Sequence, residues 1–146
     1  MRMSTKGRYG LRVMMELADH YGHGPTLVDV IAKNQGISRK YIHLLATGLR
    51  TAGLVRTVRG PSGGYELAKE PSSITALDVV SALEGSIAPV ECVVEASSCR
   101  RAGQCAARDV WCDVASAVDG VLSGLTLDLL SARQRAKQEE PITFSI

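Results

Sequence analysis

The sequence predicts a mainly α-helical chain with one small two-stranded β-hairpin. Three observations lead to this fold class. Apolar residues recur with helical spacing along most of the 146 residues, two short alternating segments flank a Gly/Pro-rich turn, and four cysteines fall together in the second half. A chain of this length can bury a modest core but is too short for a large catalytic barrel.

Two helices are expected before the best-marked one. Ser4 or Thr5 caps the first, which runs to about Tyr21 on an apolar stripe. Thr26 opens a capping-box-like Thr-Leu-Val-Asp and predicts a short second helix that stops near Gly36.

The third helix begins at Ser38, and its apolar residues at positions i, i+3 and i+7 face inward: Ile42, Leu45 and Leu49. A short helix, a turn containing Gly and a second helix form a layout typical of a helix-turn-helix. Polar side chains are left on the outer side of the third helix: Arg39, Lys40, His43 and Arg50. Any pair of packed helices is the alternative at this point.

A hairpin follows directly. Residues 54–58 alternate as a strand, and residues 65–68 are the natural partner across the Gly/Pro turn 59–64. A hairpin after a helix-turn-helix is the wing of a winged helix. Small turn residues let the backbone approach a phosphate, and Arg59 is long enough to enter a narrow minor groove. An ordinary hairpin loop is the alternative, but the combination favours DNA binding by Ser38, Arg39, Lys40, Tyr41, His43, Arg59, Gly60, Ser62 and Gly63.

We divide the chain into four segments, of which the winged helix is the first. A helix capped at Thr75 is expected to pack on the wing and to complete a winged helix-turn-helix domain over residues 1–85. Residues 86–105 lack periodicity and indicate a cysteine-rich loop. A long helix over residues 106–122 and a short one ending at Ala132 together form a predicted dimerisation segment, 106–132. Residues 133–146 are predicted to be a polar tail.

The apolar face of the long helix needs a cover. A second copy of the chain provides one and gives a two-fold dimer. Such a homodimer reads a palindromic double-stranded DNA site whose half-sites lie about 34–36 Å apart. The alternative is that this helix folds back on its own domain.

The charges are divided unevenly. Residues 1–70 carry eleven Lys and Arg against five Asp and Glu, a net +6, whereas residues 71–146 carry six against ten, a net −4. This division suggests that the first half meets a polyanion. No apolar stretch is long enough to cross a membrane and the first residues lack a signal-peptide core, so we expect a cytoplasmic protein. No nucleophile triad, phosphate loop or carboxylate pair is visible, which argues against an enzyme with a small-molecule substrate.

The cysteines have the spacing Cys92-x6-Cys99-x5-Cys105-x6-Cys112. Structural zinc sites usually contain close Cys-x2-4-Cys pairs, which this region lacks, and thiolates are the usual ligands of iron–sulfur clusters. Spacing alone leaves a cluster, a zinc site and a thiol redox switch open. On a continuous helix Cys112 would lie about 10.5 Å beyond Cys105, so we interpret it as a buried structural cysteine.

Several motifs resemble one family of bacterial regulators. Ser4-Thr5-Lys6-Gly7-Arg8-Tyr9 opens the chain, Arg59-Gly60-Pro61-Ser62-Gly63-Gly64-Tyr65 forms the wing turn, and a three-cysteine loop precedes a Trp-bearing helix. With the closing Leu125-Thr126-Leu127-Asp128-Leu129, these motifs resemble the IscR-like branch of the Rrf-type family over roughly residues 1–132. The resemblance implies a dimeric winged-helix repressor or activator that responds to an iron–sulfur cluster, with [2Fe-2S] favoured over [4Fe-4S]. Its members sense cluster supply, iron, nitric oxide or redox state.

The resemblance also implies roles for particular residues. Arg59 matches the residue that enters the minor groove, and Lys40 and His43 match positions that read bases. The implied metal ligands are Cys92, Cys99 and Cys105.

This sequence departs from the family pattern at two positions. Arg108 stands where the cluster-supply regulators have a His ligand, and a guanidinium is a poor ligand. The fourth ligand is therefore open among Asp109, Cys112, a partner-subunit group and an exogenous one. His43 replaces an acid that helps those regulators to discriminate DNA sites. A regulator that uses its cysteines as redox thiols or a zinc site, or that is controlled by binding a metabolic enzyme, is the alternative.

Overall fold

Seven α-helices and a two-stranded antiparallel sheet make up residues 2–140, the part of the chain that this computed structural model describes. Their bounds are α1 Thr5–Asp19, α2 Val28–Gln35, α3 Arg39–Thr51, β1 Val55–Val58, β2 Gly64–Leu67, α4 Ala76–Glu84, α5 Glu91–Val94, α6 Ala106–Ser123 and α7 Leu127–Glu139. The predicted fold class, a mainly α-helical winged helix with a two-stranded wing, is confirmed. The end of the predicted tail, residues 141–146, lies outside the described residues.

Side chains cap three of the helices where the sequence predicts it. The hydroxyls of Ser4 and Ser38 accept hydrogen bonds from backbone N–H groups in the first turns of α1 and α3. Thr75 and Asp78 form a complete capping box at the start of α4, with distances of 2.9 and 3.1 Å. These caps fix where α1, α3 and α4 begin.

Thr26 does not cap α2, and this prediction is wrong. Its backbone pairs with Tyr65 instead: the Thr26 N–H donates to the Tyr65 carbonyl at 2.8 Å, and the Tyr65 N–H donates back at 3.0 Å. Thr26 therefore lies beside β2 as an isolated bridge residue outside the two-stranded sheet, and α2 begins two residues later, at Val28. Pairing with the wing satisfies backbone groups that a helix start would leave open.

A single core joins α1, α3, the wing and α4. Side chains from α1–α4, the hairpin and the start of α7 are buried together: Val13, Met14, Leu17, Ile31, Ile37, Ile42, Leu45, Leu49, Leu54, Val55, Leu67, Ile74, Val79 and Leu127. Helix α4 packs against α1 and α3 rather than on the wing as the sequence suggested. Leu83 on α4 reaches α1, where a Cβ at Gly10 would lie 2.0 Å from it. The helix thus closes the core against α1 and α3.

A buried carboxylate fixes the helix-turn-helix against α1. Glu16 is buried, and its carboxylate accepts hydrogen bonds from Asn34 at 2.6 Å and Gln35 at 2.8 Å. The Arg12 guanidinium also donates to the Gln35 side chain at 3.2 Å. Because a buried carboxylate is stable only when hydrogen-bonded, these contacts hold the end of α2 in one orientation.

Helix α7 is longer than predicted and packs on α1. It runs to Glu139 instead of Ala132, so residues 133–139 are helical rather than a polar tail. Leu127 is fully buried, and an Arg135–Asp19 ion pair of 2.8 Å ties the exposed second half to α1. The exposed half has no apolar period, so it carries none of the periodic spacing from which a helix is predicted.

Helix α6 has no buried residue along its 18 positions. Within residues 2–140 it packs mainly against α4 and α5, and apolar side chains on another side, such as Val110 and Val121, are exposed there. Among residues 2–140, no helix combines the length and hydropathy needed to cross a membrane.

Candidate nucleic-acid interface and cysteine loop

The start of α3 and the wing line one open groove. Five of the nine residues predicted to contact DNA lie along it: Arg39, His43, Arg59, Gly60 and Gly63. The start of α2, with Leu27 and Asp29, forms the remaining wall. The structure therefore brings together residues from two elements that are about twenty positions apart in sequence.

The outer face of α3 forms a second, more apolar surface beside this groove. It contains three more predicted residues, Ser38, Lys40 and Tyr41, together with Leu44 and Thr47. Sequence reasoning missed Leu44, which is 52% exposed. Its position four residues after Lys40 on an exposed helix face is the signal that could have found it. Ser62 is exposed at the tip of the wing and lies on neither surface.

Ion pairs hold some of the basic residues but leave Arg59 available. Arg39 pairs with Asp29 at 3.1 Å, with both side chains exposed, so the pair contributes little and can exchange for another anion. Arg56 pairs with Glu66 across the hairpin at 3.1 Å. Arg59 forms no ion pair with any residue in the range 2–140. The tip of the wing therefore presents an unengaged guanidinium.

The glycines of the wing are required by the turn itself. Gly60 has φ of 113°, a conformation that residues with a Cβ rarely adopt. Its carbonyl accepts a hydrogen bond from the Gly63 N–H at 3.0 Å, and a Cβ at Gly63 would lie 2.1 Å from the Val58 oxygen. The small residues that the sequence assigned to phosphate approach thus have a structural reason as well.

His43 on α3 is hydrogen-bonded to the wing. Its Nδ1 lies 2.6 Å from the hydroxyl oxygen of Tyr65, and the two ring centroids are 5.7 Å apart. Burial raises the pKa of Tyr65 above its ordinary value of 10.0, an effect that the nearby Arg50 charge only partly opposes. The phenol is therefore protonated at neutral pH. Sequence reasoning missed this pair because the two residues lie in different elements.

Glu84, the last residue of α4, is hydrogen-bonded to the start of α1. Its carboxylate accepts a hydrogen bond from the Ser4 hydroxyl. It also accepts hydrogen bonds from the backbone N–H groups of Ser4 and Gly7, both at 3.0 Å. The Ser4 hydroxyl bond first, and then the backbone bonds, hold the pKa of Glu84 below its usual range. The carboxylate thus caps α1 from the last residue of α4, immediately before the loop starts.

The cysteine loop consists of short helical turns rather than the irregular coil that the sequence indicated. Cys92 lies in α5, Cys99 is exposed after a 3-10 turn, and Cys105 immediately precedes α6. The Arg108 guanidinium of α6 donates to the Cys92 carbonyl at 2.9 Å, which joins the two ends of the loop.

The loop has suitable donors for an iron–sulfur cluster, but they are not gathered. All four cysteines are free thiols, the ligand type that such clusters prefer. Within residues 2–140, no three His, Cys, Asp or Glu side chains lie close enough together to hold a metal ion. The donor set fits a cluster in kind, and the loop would have to close for all three cysteines to reach it.

The helix-turn-helix, the basic-tipped wing and the core between them define the chain as a winged-helix transcriptional regulator. The profile of the Rrf2 family, described as an iron-dependent transcriptional regulator, matches residues 3–133. This chain belongs to that family. The homologues and the fold are those of regulators and not of enzymes.

Individual relatives carry two different names. The HTH-type transcriptional regulator CymR of Bacillus subtilis is 42% identical over 139 residues, covering 95% of this chain and 96% of the relative. IscR of Escherichia coli O1:K1 / APEC is 37% identical over 134 residues, covering 92% of this chain and 82% of the relative.

Solved structures show the same two names. CymR (YrzC), the global cysteine regulator of B. subtilis, matches with a TM-score of 0.76 at 42% identity, covering 91% of this chain and 98% of that one. IscR of T. potens matches with a TM-score of 0.73 at 35% identity, covering 98% and 94%.

Proposed function

We propose that this protein is a dimeric DNA-binding regulator whose operator affinity is controlled by an iron–sulfur cluster held by Cys92, Cys99 and Cys105. The signal it senses is cluster supply, iron, nitric oxide or redox state, and it acts in the cytoplasm, where operator DNA lies. One observation carries the DNA-binding part: Arg39, His43 and Arg59 line a single groove between α3 and the wing.

The two surfaces of α3 and the wing suit the two grooves of DNA. A helix with exposed Lys40 and His43 fits the major groove, which is wide enough for an α-helix. Arg59, unengaged at the wing tip, suits a narrow A/T-rich minor groove, where the negative potential is strongest. Ser62 and the turn glycines bring the backbone close enough for phosphate contacts.

The uncovered face of α6 supports dimerisation. A helix of 18 residues without one buried side chain needs a partner, and α4 and α5 cover only one side of it. A second copy would bury the exposed apolar side chains Val110, Ala117 and Val121 and place two recognition helices on a palindromic operator.

The cysteine loop supports the sensor role. The cluster, for which we favour [2Fe-2S], supplies a reversible redox and iron-dependent state when bound. Cys92 lies in α5 and Cys105 immediately precedes α6, so that closure of the loop bears on the dimerisation helix. Arg108 is bonded to the loop backbone and Cys112 lies about two turns beyond Cys105, so Asp109, a partner-subunit group or an exogenous ligand completes the set.

A second candidate is a regulator that works without a cluster. The three cysteines are not gathered in the described residues, and Cys99 is exposed beside two arginines, a setting that suits thiol oxidation. A zinc site is the other form of this candidate, and it would need the cysteines to come together as a cluster does. Regulation by binding a metabolic enzyme belongs to the same candidate. Because some relatives are named CymR and others IscR, we test this second candidate alongside the cluster.

Arg59→Ala is expected to weaken operator binding by about tenfold, because it removes a charged contact at the minor groove. The slope of log affinity against log salt is expected to fall by about one. Fluorescence anisotropy, with an operator selected from a random DNA library, measures both quantities. Arg133→Ala is the matched control, since Arg133 is an exposed arginine on α7 away from the groove. Equal affinities of wild type and Arg59→Ala would contradict the wing's role.

Single replacement of Cys92, Cys99 or Cys105 by Ala is expected to abolish the visible absorption of anaerobically purified protein and its bound iron and sulfide. Each variant loses one of only three thiolate ligands. Cys112→Ala is the matched control and is expected to keep the spectrum, because Cys112 lies two turns further along α6. A colourless or zinc-loaded wild type would refute the cluster and favour the second candidate.

A further inference from the structure

We propose that the Tyr65 hydroxyl fixes the tautomer of His43, so that His43 offers its Nε2–H to the major groove and selects a base that accepts a hydrogen bond there, guanine above all. The proposal rests on the proposed DNA-binding function and adds a specificity rule to it. Tyr65 is a positioning residue, and His43 is the residue that touches the base.

Tyr65 is held firmly enough to orient its neighbour. It is 8% exposed, lies in β2 opposite Thr57, and exchanges two backbone hydrogen bonds with Thr26. Its ring meets the His43 ring edge-on, with an interplanar angle of 66°. The hydroxyl therefore projects from a fixed strand toward the exposed face of α3.

Hydrogen-bond accounting assigns the donor in this pair. The Tyr65 hydroxyl has His43 Nδ1 as its hydrogen-bond partner in the described part of the chain, at 2.6 Å. Tyr65 is 8% exposed and its phenol is protonated at neutral pH, so the hydroxyl is best satisfied by donating its proton to the acceptor beside it, His43 Nδ1. Donation to Nδ1 requires a lone pair on that nitrogen, which places the ring proton of His43 on Nε2.

The opposite tautomer is less well satisfied. With the proton on Nδ1, His43 would donate to the Tyr65 oxygen, and the phenolic proton would need a second acceptor. The charged side chains that line the groove beside this pair are Arg39, Arg59 and Asp29, and Asp29 is already paired with Arg39 at 3.1 Å. The two arginines are donors only and cannot accept the phenolic proton.

A fixed Nε2–H donor gives His43 a defined preference among bases. Guanine presents two acceptors in the major groove, N7 and O6, whereas cytosine presents an amino donor that would oppose the Nε2–H. Adenine presents one acceptor and one donor. A histidine free to exchange tautomers could read either kind of edge, so the Tyr65 bond converts a permissive residue into a selective one.

The test measures base preference with Tyr65→Phe, which keeps the buried ring and removes only the hydroxyl. In a complete set of single-base operator variants, wild type is expected to favour G·C over C·G about fivefold at the position that His43 contacts, and Tyr65→Phe less than about twofold. His43→Ala is expected to lose the preference at the same position and so identifies it. Non-specific affinity is expected to stay the same in Tyr65→Phe.

Tyr21→Phe is the matched control, because Tyr21 is exposed in the turn after α1 and loss of its hydroxyl is expected to leave every base preference intact. An undiminished G·C preference in Tyr65→Phe, or a preference of wild type for cytosine at that position, would overturn the proposal. Loss of preference at many positions at once would also overturn it, since that result indicates general disruption of the wing.

Nitrogen-15 NMR of the free protein tests the tautomer directly. Long-range proton–nitrogen correlation is expected to show His43 Nδ1 unprotonated and Nε2 protonated, with the two shifts converging in Tyr65→Phe. The His43→Ala spectrum separates its signals from those of His20 and His23. The reverse tautomer would overturn the proposal. This readout needs no DNA, so if the protein bound no operator the proposed function would fail while the tautomer assignment would still be decided.

Discussion

Val121→Asp is expected to convert the protein to a monomer and to lower its affinity for a palindromic operator by about a hundredfold, the factor gained when two linked half-sites bind together. Val121 is 63% exposed on α6, so the new carboxylate disturbs little within its own chain. In a dimer built on this helix face, each copy would carry an unpaired charge into an apolar contact, which is strongly unfavourable. Sedimentation equilibrium gives the oligomeric state, and titration of whole and half operators gives the affinity.

Ser116→Asp provides the matched control for charge and for helix propensity. Ser116 is exposed on α6 and lies about 140° around the helix from Val121, on a different side. We expect this variant to remain dimeric and to bind the whole operator as wild type does. Both variants are expected to bind a half-site equally well. A dimeric Val121→Asp protein would mean that the exposed face of α6 is not the interface.

The winged helix was predictable because its signals are local. Ser38 caps α3 three positions before the first N–H it binds, and Gly36 ends α2 in the left-handed conformation, with φ of 63°. The hairpin follows from two alternating segments around a Gly/Pro turn. Each of these features depends on neighbours within a few residues, which a single sequence displays directly.

The errors arise where distant segments compete with a local signal. Thr26 has a plausible capping sequence, but pairing with Tyr65, 39 positions later, satisfies its backbone better. The second half of α7 lacks an apolar stripe and is instead tied to α1 through Arg135 and Asp19. Neither contact leaves a periodic trace, so pattern analysis ends α7 early and begins α2 too soon.

The candidate site was predictable in its parts and not in its connections. Arg39, His43 and Arg59 could be chosen individually by charge and position, and they line one groove. The bond from His43 to Tyr65 crosses 22 positions and depends on the angle between α3 and the hairpin. For the cysteines the sequence suggests a connection that the structure does not show. Their number and spacing suggest that they bind one metal cluster together, whereas in the described residues they lie apart.

Gly64→Ala is expected to lower the free energy of unfolding by about 3 kcal/mol and the melting temperature by roughly 10 °C. A Cβ at this position would lie 2.0 Å from the Thr26 oxygen and 2.6 Å from its carbonyl carbon, both backbone atoms. The backbone cannot move aside without breaking the Thr26–Tyr65 pairing. Thermal unfolding followed by circular dichroism measures the loss of stability. At low temperature, where the variant is folded, its affinity for the operator is also expected to be lower than that of wild type.

Gly103→Ala separates this packing requirement from the general effect of removing a glycine. A Cβ at Gly103 meets no atom within 4 Å, so the control is expected to change the melting temperature little. Gly64, like Gly103, does not have a positive φ, and its backbone conformation is open to alanine; the clash with Thr26 is the sole cause of the expected loss. If Gly64→Ala melted like wild type, the Thr26 backbone could not lie against β2 as described. Tyr65 would then lack the backbone support that orients His43, so one substitution tests both the wing and the proposed base selectivity.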